Sequence, residues 1–174
     1  MDAQRQPAPD LPRAHSDRRR RVGRSGTLII AILVVATRLA TGQSTDPVRL
    51  TLDRWVAMWN SYDLNQVDSL FVRDSSVSYF SSEYRGLIRG PAVLRDHHQR
   101  FGFVPGGKPP GNRLWLEDVV ITPTGDRSAL VTATWKFQRV GVEAVQSGPV
   151  SFVVVTGDAG HRILHAHFAN HPAR

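Results

Sequence analysis

Cysteine is absent from the 174 residues, which removes disulfide staples, thiolate zinc sites and a cysteine nucleophile. No long hydrophobic run is present either. The most apolar stretch, TLIIAILVVA from Thr27 to Ala36, is followed closely by Arg38, whereas a membrane-spanning helix needs roughly 20 such residues. No segment repeats. Acidic side chains are outnumbered, 15 against 22 Lys and Arg for a net charge of +7, a balance that points to nucleic acid until its distribution is read. Residues 1–42 hold eight Arg against three Asp, a net of +5, and the remainder holds 14 basic against 12 acidic residues, a net of +2. A nearly neutral domain has no dense phosphate-binding stripe, so nucleic acid is not an expected partner.

What is present reads as one exported domain. The chain has the length of a single domain, and its 41% hydrophobic and 21% charged residues fit an ordinary globular protein. RRRRVGR at 18–24, the apolar run and then ATGQ at 40–43 have the layout of a signal peptide. Ala40 and Gly42 supply small side chains three and one residues before a cut that would leave Gln43 as the new terminus. Residues 1–42 are therefore expected to be a leader and 43–174 a secreted or periplasmic domain. The alternative is an uncleaved N-terminal anchor, the only route by which a membrane would enter.

Asp46 is placed to cap a helix that begins at Pro47, where a missing N–H costs nothing. Val48, Leu52, Trp55, Trp59 and Tyr62 then recur at helical spacing and share one face. DLNQVDSLF gives a second short helix, with Asp63 and Gln66 set as a capping box. SVSYFS is a short strand, YRGLIRG a turn or second short strand, and PAVLRDHHQRF a third helix that carries Leu94, His97 or His98, and Phe101 on one face. GFVPGGKPPGNR, rich in Gly and Pro, reads as a loop and as a mobile flap over a cleft. RLWLEDVVIT, SALVTATWKFQ, GPVSFVVVT and HRILHAHFA follow as strands of an antiparallel meander. Helices first and a long sheet afterwards imply an α+β domain with the helices on one sheet face.

RWVAMWNSYDLNQVDSLF, IRGPAVLRDHHQRF and HRILHAHFA, within a span from Val48 to Asn170, resemble the nuclear transport factor 2-like superfamily, in particular its SnoaL-like and calcium/calmodulin-dependent kinase association-domain branches. The resemblance implies a cone-shaped roll: three helices packed in a curved, mainly antiparallel sheet, open at one end into a pocket. It also implies a homodimer through the outer sheet face. Relatives commonly start the last strand with Trp and end it with Ser, where this chain has His161 and Ala169. The acidic base of ketosteroid isomerases has no counterpart, since the last three strands contain no carboxylate and Asp158 lies in a turn. The epoxide-hydrolase pattern of two Asp around an Arg is also missing.

Strict alternation on the last strand puts Ile163, His165, His167 and Ala169 on one face, which the resemblance makes the inside of the cone. His165 or His167 would then be a general base in a semi-apolar pocket, with Tyr79 as partner. The competing readings are histidines that only shape the wall, and a metal site completed by His97 or His98, for which no ligand signature exists. Trp59, Tyr62, His98, Trp135 and Ile163 complete the expected ligand-binding set, Trp135 through an inward row of Ala129, Val131, Ala133, Trp135 and Phe137. Arg85 and Arg89 could clamp an acidic ligand or simply be surface residues. No cofactor is expected. Two functions follow: a binding or dimerising domain for a small apolar or amphipathic molecule, or a lyase, isomerase or cyclase with a histidine base. The missing inward carboxylate favours binding.

Overall fold

A computed structural model describes residues 46–108 and 111–172; the expected leader and its cleavage site lie outside them. Asp46 caps α1 (Pro47–Ser61) by accepting the Val48 N–H at 2.8 Å. The helix ends at Tyr62, whose positive φ of 54° turns the chain at once into α2 (Leu64–Leu70). Asp63 caps α2 through the Asn65 N–H, and its side chain also accepts the Gly106 N–H at 3.0 Å.

That second bond corrects the flap expectation. The loop after α3 (Pro91–Arg100) is pinned beneath the α1–α2 corner. Val104 exchanges backbone hydrogen bonds with Tyr62 and Leu64, Lys108 N–H donates to the Ser61 carbonyl, and Phe103 is buried. A Cβ on Gly107 would stand 2.7 Å from the Ser61 carbonyl oxygen, at a φ of +81°, so only glycine serves there.

The sheet contains β1 (Ser78–Phe80), β2 (Leu87–Arg89), β3 (Arg113–Gly125), β4 (Ser128–Gln138), β5 (Val145–Gly157) and β6 (Gly160–Phe168). Their order is β2-β1-β6-β5-β4-β3, antiparallel throughout except that β1 runs parallel to β6. This is the expected α+β architecture, with three helices packed against a six-stranded mixed sheet. The inward row of β4 is as alternation places it: Ala129, Val131, Ala133 and Trp135 are all buried. Trp55 of α1 is wholly buried and packs on Phe152 and Phe168, with ring centroids 5.1 and 5.5 Å away. Burying each such side chain is worth roughly 1.5–3 kcal/mol.

The last strand departs from strict alternation. Val153 pairs with His165 while Val154 pairs with Ile163, so Leu164 is an extra residue in a β-bulge. The bulge falls where the other edge of β6 changes partner. Ile163 bridges to Phe71 and accepts the Val72 N–H at 3.0 Å, whereas His165 to His167 pair with β1. One inserted residue reverses the phase of alternation. Ile163, Ala166 and Phe168 therefore point into the core, and His165 and His167 point to the outer face.

Candidate functional site

A cavity of about 340 Å³ opens between the helices and the inner sheet face, at the small end of the range for ligand sites. Its apolar wall includes Trp59, Tyr62, Tyr79, Leu114, Trp135 and Phe168. Tyr62 reaches it from the end of α1, because the left-handed turn at this residue holds the ring against Phe103 at 4.6 Å between centroids. Trp135 is fixed by its indole N–H, which donates to the Ala169 carbonyl at 2.9 Å. That carbonyl can approach only because residue 148 is glycine, where a Cβ would meet the same oxygen at 1.8 Å.

Polar side chains line this space as well, Ser81, Ser82, Glu83, Arg100, Asn112, Arg139 and Gln146 among them. The Tyr79 hydroxyl makes no hydrogen bond among the described residues, and burial raises its pKa so that it keeps its proton. The Tyr62 hydroxyl accepts from Asn112 Nδ2 at 3.0 Å, which leaves its own proton free to donate. The Trp59 indole N–H is buried without an acceptor and is not exposed to the cavity. At the mouth, Arg139 lies over the Phe137 ring at 5.4 Å. It donates to Gln146 Oε1 at 3.2 Å and to Glu83 Oε1 at 3.3 Å. Gln146 also donates to Asn170, which in turn donates to the Ser82 carbonyl. Arg100 is the other cation lining the cavity, and Glu83 its one carboxylate among the described residues.

Four of the residues assigned to the site by sequence, Trp59, Tyr62, Tyr79 and Trp135, come together in this wall. The others do not. His165 and His167 lie on the opposite side of the sheet, His165 with Nδ1 2.8 Å from Ser78 Oγ and both rings beside Phe80. Burial and the neighbouring His167 lower the His165 pKa. His98 is wholly buried behind the wall, its Nδ1–H donating to the Leu94 carbonyl at 2.9 Å and its Nε2 unpartnered. Burial pushes its pKa down to about 4. His97 packs on Tyr79 and Phe101, its pKa lowered by burial and then by Arg100.

With two histidines inside the sheet and two outside, the metal reading loses its ligand set. Among the described residues no group of three metal-ligating side chains occurs. Ile163 is core, and Arg85 and Arg89 are exposed away from the cavity. Arg139, Glu83, Gln146, Asn112 and Arg100 were missed. For Arg139 a signal existed, since it continues the row of Trp135 and Phe137 one step past the end of β4.

No family model matches the sequence, and no curated protein is significantly similar to it. Solved structures are similar in fold. A superfamily protein from Salmonella enterica serovar Typhimurium superposes with a TM-score of 0.59 at 20% identity, over 73% of this chain and 89% of its own. The fold is that of the nuclear transport factor 2-like superfamily. Another nuclear transport factor 2-like structure, from Streptomyces avermitilis and proposed to be a dehydratase, gives a TM-score of 0.62 at 18% identity, over 74% of this chain and 96% of that one. The calcium/calmodulin-dependent protein kinase II hub of S. rosetta gives 0.59 at 20% identity, over 72% and 95%. At such identities the likeness concerns the nuclear transport factor 2-like fold, which hosts unrelated functions.

Proposed function

We propose that this domain binds a small, largely apolar molecule in the cavity framed by Trp59, Tyr62, Tyr79 and Trp135, and works as a binding domain. The observation that carries this is the wall itself, an aromatic surface on which the Tyr62 hydroxyl keeps a proton to donate. The enzyme reading drew its general base from His165 or His167, and the bulge at Leu164 turns both away from the cavity. Titration with small lipophilic probes, followed by tryptophan fluorescence, tests the reading. Binding should perturb Trp59 and Trp135 emission, and loss of that response in Trp59→Phe and Trp135→Phe would locate it. Unchanged emission of the wild type with every probe up to its solubility limit counts against it.

Self-association is a second reading, supported by the outer sheet face. Leu87, Phe80, His167, Ser151, Thr132 and Val120 form one continuous cross-strand row, and Leu130 lies in the next row. Phe80, Leu87, Leu130 and Val120 are 36 to 55% exposed, an apolar patch of the kind that marks contact sites. The structural neighbours include a hub and a protein proposed to be an association domain. A homodimer through this face should appear by light scattering at micromolar concentration and become monomeric in Leu130→Glu. Monomeric wild type rejects it. Export rests on the layout of residues 18–43 alone, and mass spectrometry of the mature protein should find Gln43 at its start.

A further inference from the structure

We infer that the ligand is an amphipathic carboxylate, its apolar body against the aromatic wall and its carboxylate taken by Arg139 at the mouth in place of Glu83. This rests on the binding reading above and adds the chemical class.

Inside, the Tyr62 hydroxyl has a proton to give, so a complementary group on a ligand is an acceptor. At the mouth, two guanidinium groups face one carboxylate. Both are paired and exposed, but Arg100 meets Asp96 at 2.7 Å whereas Arg139 meets Glu83 at 3.3 Å, so Arg139 is the less closely held cation. Its contacts to Glu83 and Gln146, at 3.3 and 3.2 Å, are single-pronged and longer than charge-assisted bonds prefer. Both partners of the Arg139–Glu83 pair are substantially exposed, 52% and 39%, and such pairs contribute little. A ligand carboxylate could meet the guanidinium with two parallel bonds, a geometry that the present contact with Glu83 does not use. Arg139 Cζ already lies over the Phe137 ring, 5.4 Å from its centroid, beside the cavity. Glu83 acts as the internal competitor, occupying the anion position when the cavity has no ligand.

A space of about 340 Å³ takes a fused aromatic pair with a short side arm. Naphthylacetate and its neutral isostere naphthylacetamide are therefore the probes, with affinities measured by calorimetry on the leaderless domain and on the full chain. The acid should bind wild type about tenfold more tightly than the amide, the scale of one charge-assisted hydrogen bond. Arg139→Gln should bring the acid down toward the level of the amide, with a clearly smaller loss for the amide, whose carbonyl can still accept from the Gln side chain. Glu83→Gln should tighten the acid alone. Equal affinity of acid and amide for wild type overturns the carboxylate assignment and leaves the binding reading standing. Equal loss of both probes in Arg139→Gln shows a merely structural arginine and also overturns it. Binding of neither probe at ~1 mM, the weak end of measurable affinity, removes the binding reading together with the inference.

Discussion

Acidification should destabilise this domain through one buried ring, His98. Its Nδ1–H is committed to the Leu94 carbonyl, so a second proton must go on Nε2, which is buried without an acceptor among Trp59, Phe71, Tyr79 and Phe103. The folded pKa of about 4 lies below the usual 6.5. The unfolded chain therefore binds the proton first, and stability falls as pH drops below 6.5, levelling off below about 4. Between about pH 7 and pH 5 the loss amounts to roughly 2 kcal/mol, or several degrees in melting temperature for a domain of this size. His98→Leu removes the titrating group with a side chain of similar volume. It gives up one hydrogen bond and one orphaned nitrogen, terms of similar size and opposite sign, so at neutral pH it should melt close to wild type. At about pH 5 it should be the more stable protein by roughly 2 kcal/mol. His97 and His165, also held below their usual pKa, contribute in both proteins and largely cancel in the difference. Thermal melts of the two proteins across this range provide the assay. Parallel curves would refute the reasoning.

Gly148→Ala should cost about 1–3 kcal/mol, the usual penalty of overpacking, because the new Cβ displaces the Ala169 carbonyl that holds Trp135; denaturant melts and Trp135 emission report it. His165→Ala should lose about 0.5–1.5 kcal/mol with the Ser78 contact, and His167→Ala less, while cavity-probe affinity is unchanged in both. A drop in that affinity would mean that these histidines reach the cavity after all. Asp63→Ala should destabilise by roughly 1–2 kcal/mol and raise amide exchange at Asn65 and Gly106 together, since one carboxylate caps α2 and anchors the loop.

The sequence by itself determined the elements whose signals are local. Asp46 and Pro47 start α1, Asp63 starts α2, and the apolar stripe from Leu52 to Tyr62 faces the core because helical period and burial agree. Alternation along β4 was enough to bring Trp135 to the cavity, since that strand keeps its register with β5 without interruption. Only the tertiary structure decided the outcome on β6. The edge of β6 away from β5 serves two partners in turn, Phe71 for Ile163 and β1 for His165 to His167, and Leu164 bulges where they change over. A period-two pattern carries no trace of such a change, because the bulge follows from distant pairing and not from local propensity. For the same reason the polar mouth was hidden. Glu83, Arg139, Gln146 and Asn170 come from four separate segments, and no spacing along the chain records that the sheet brings them to one rim.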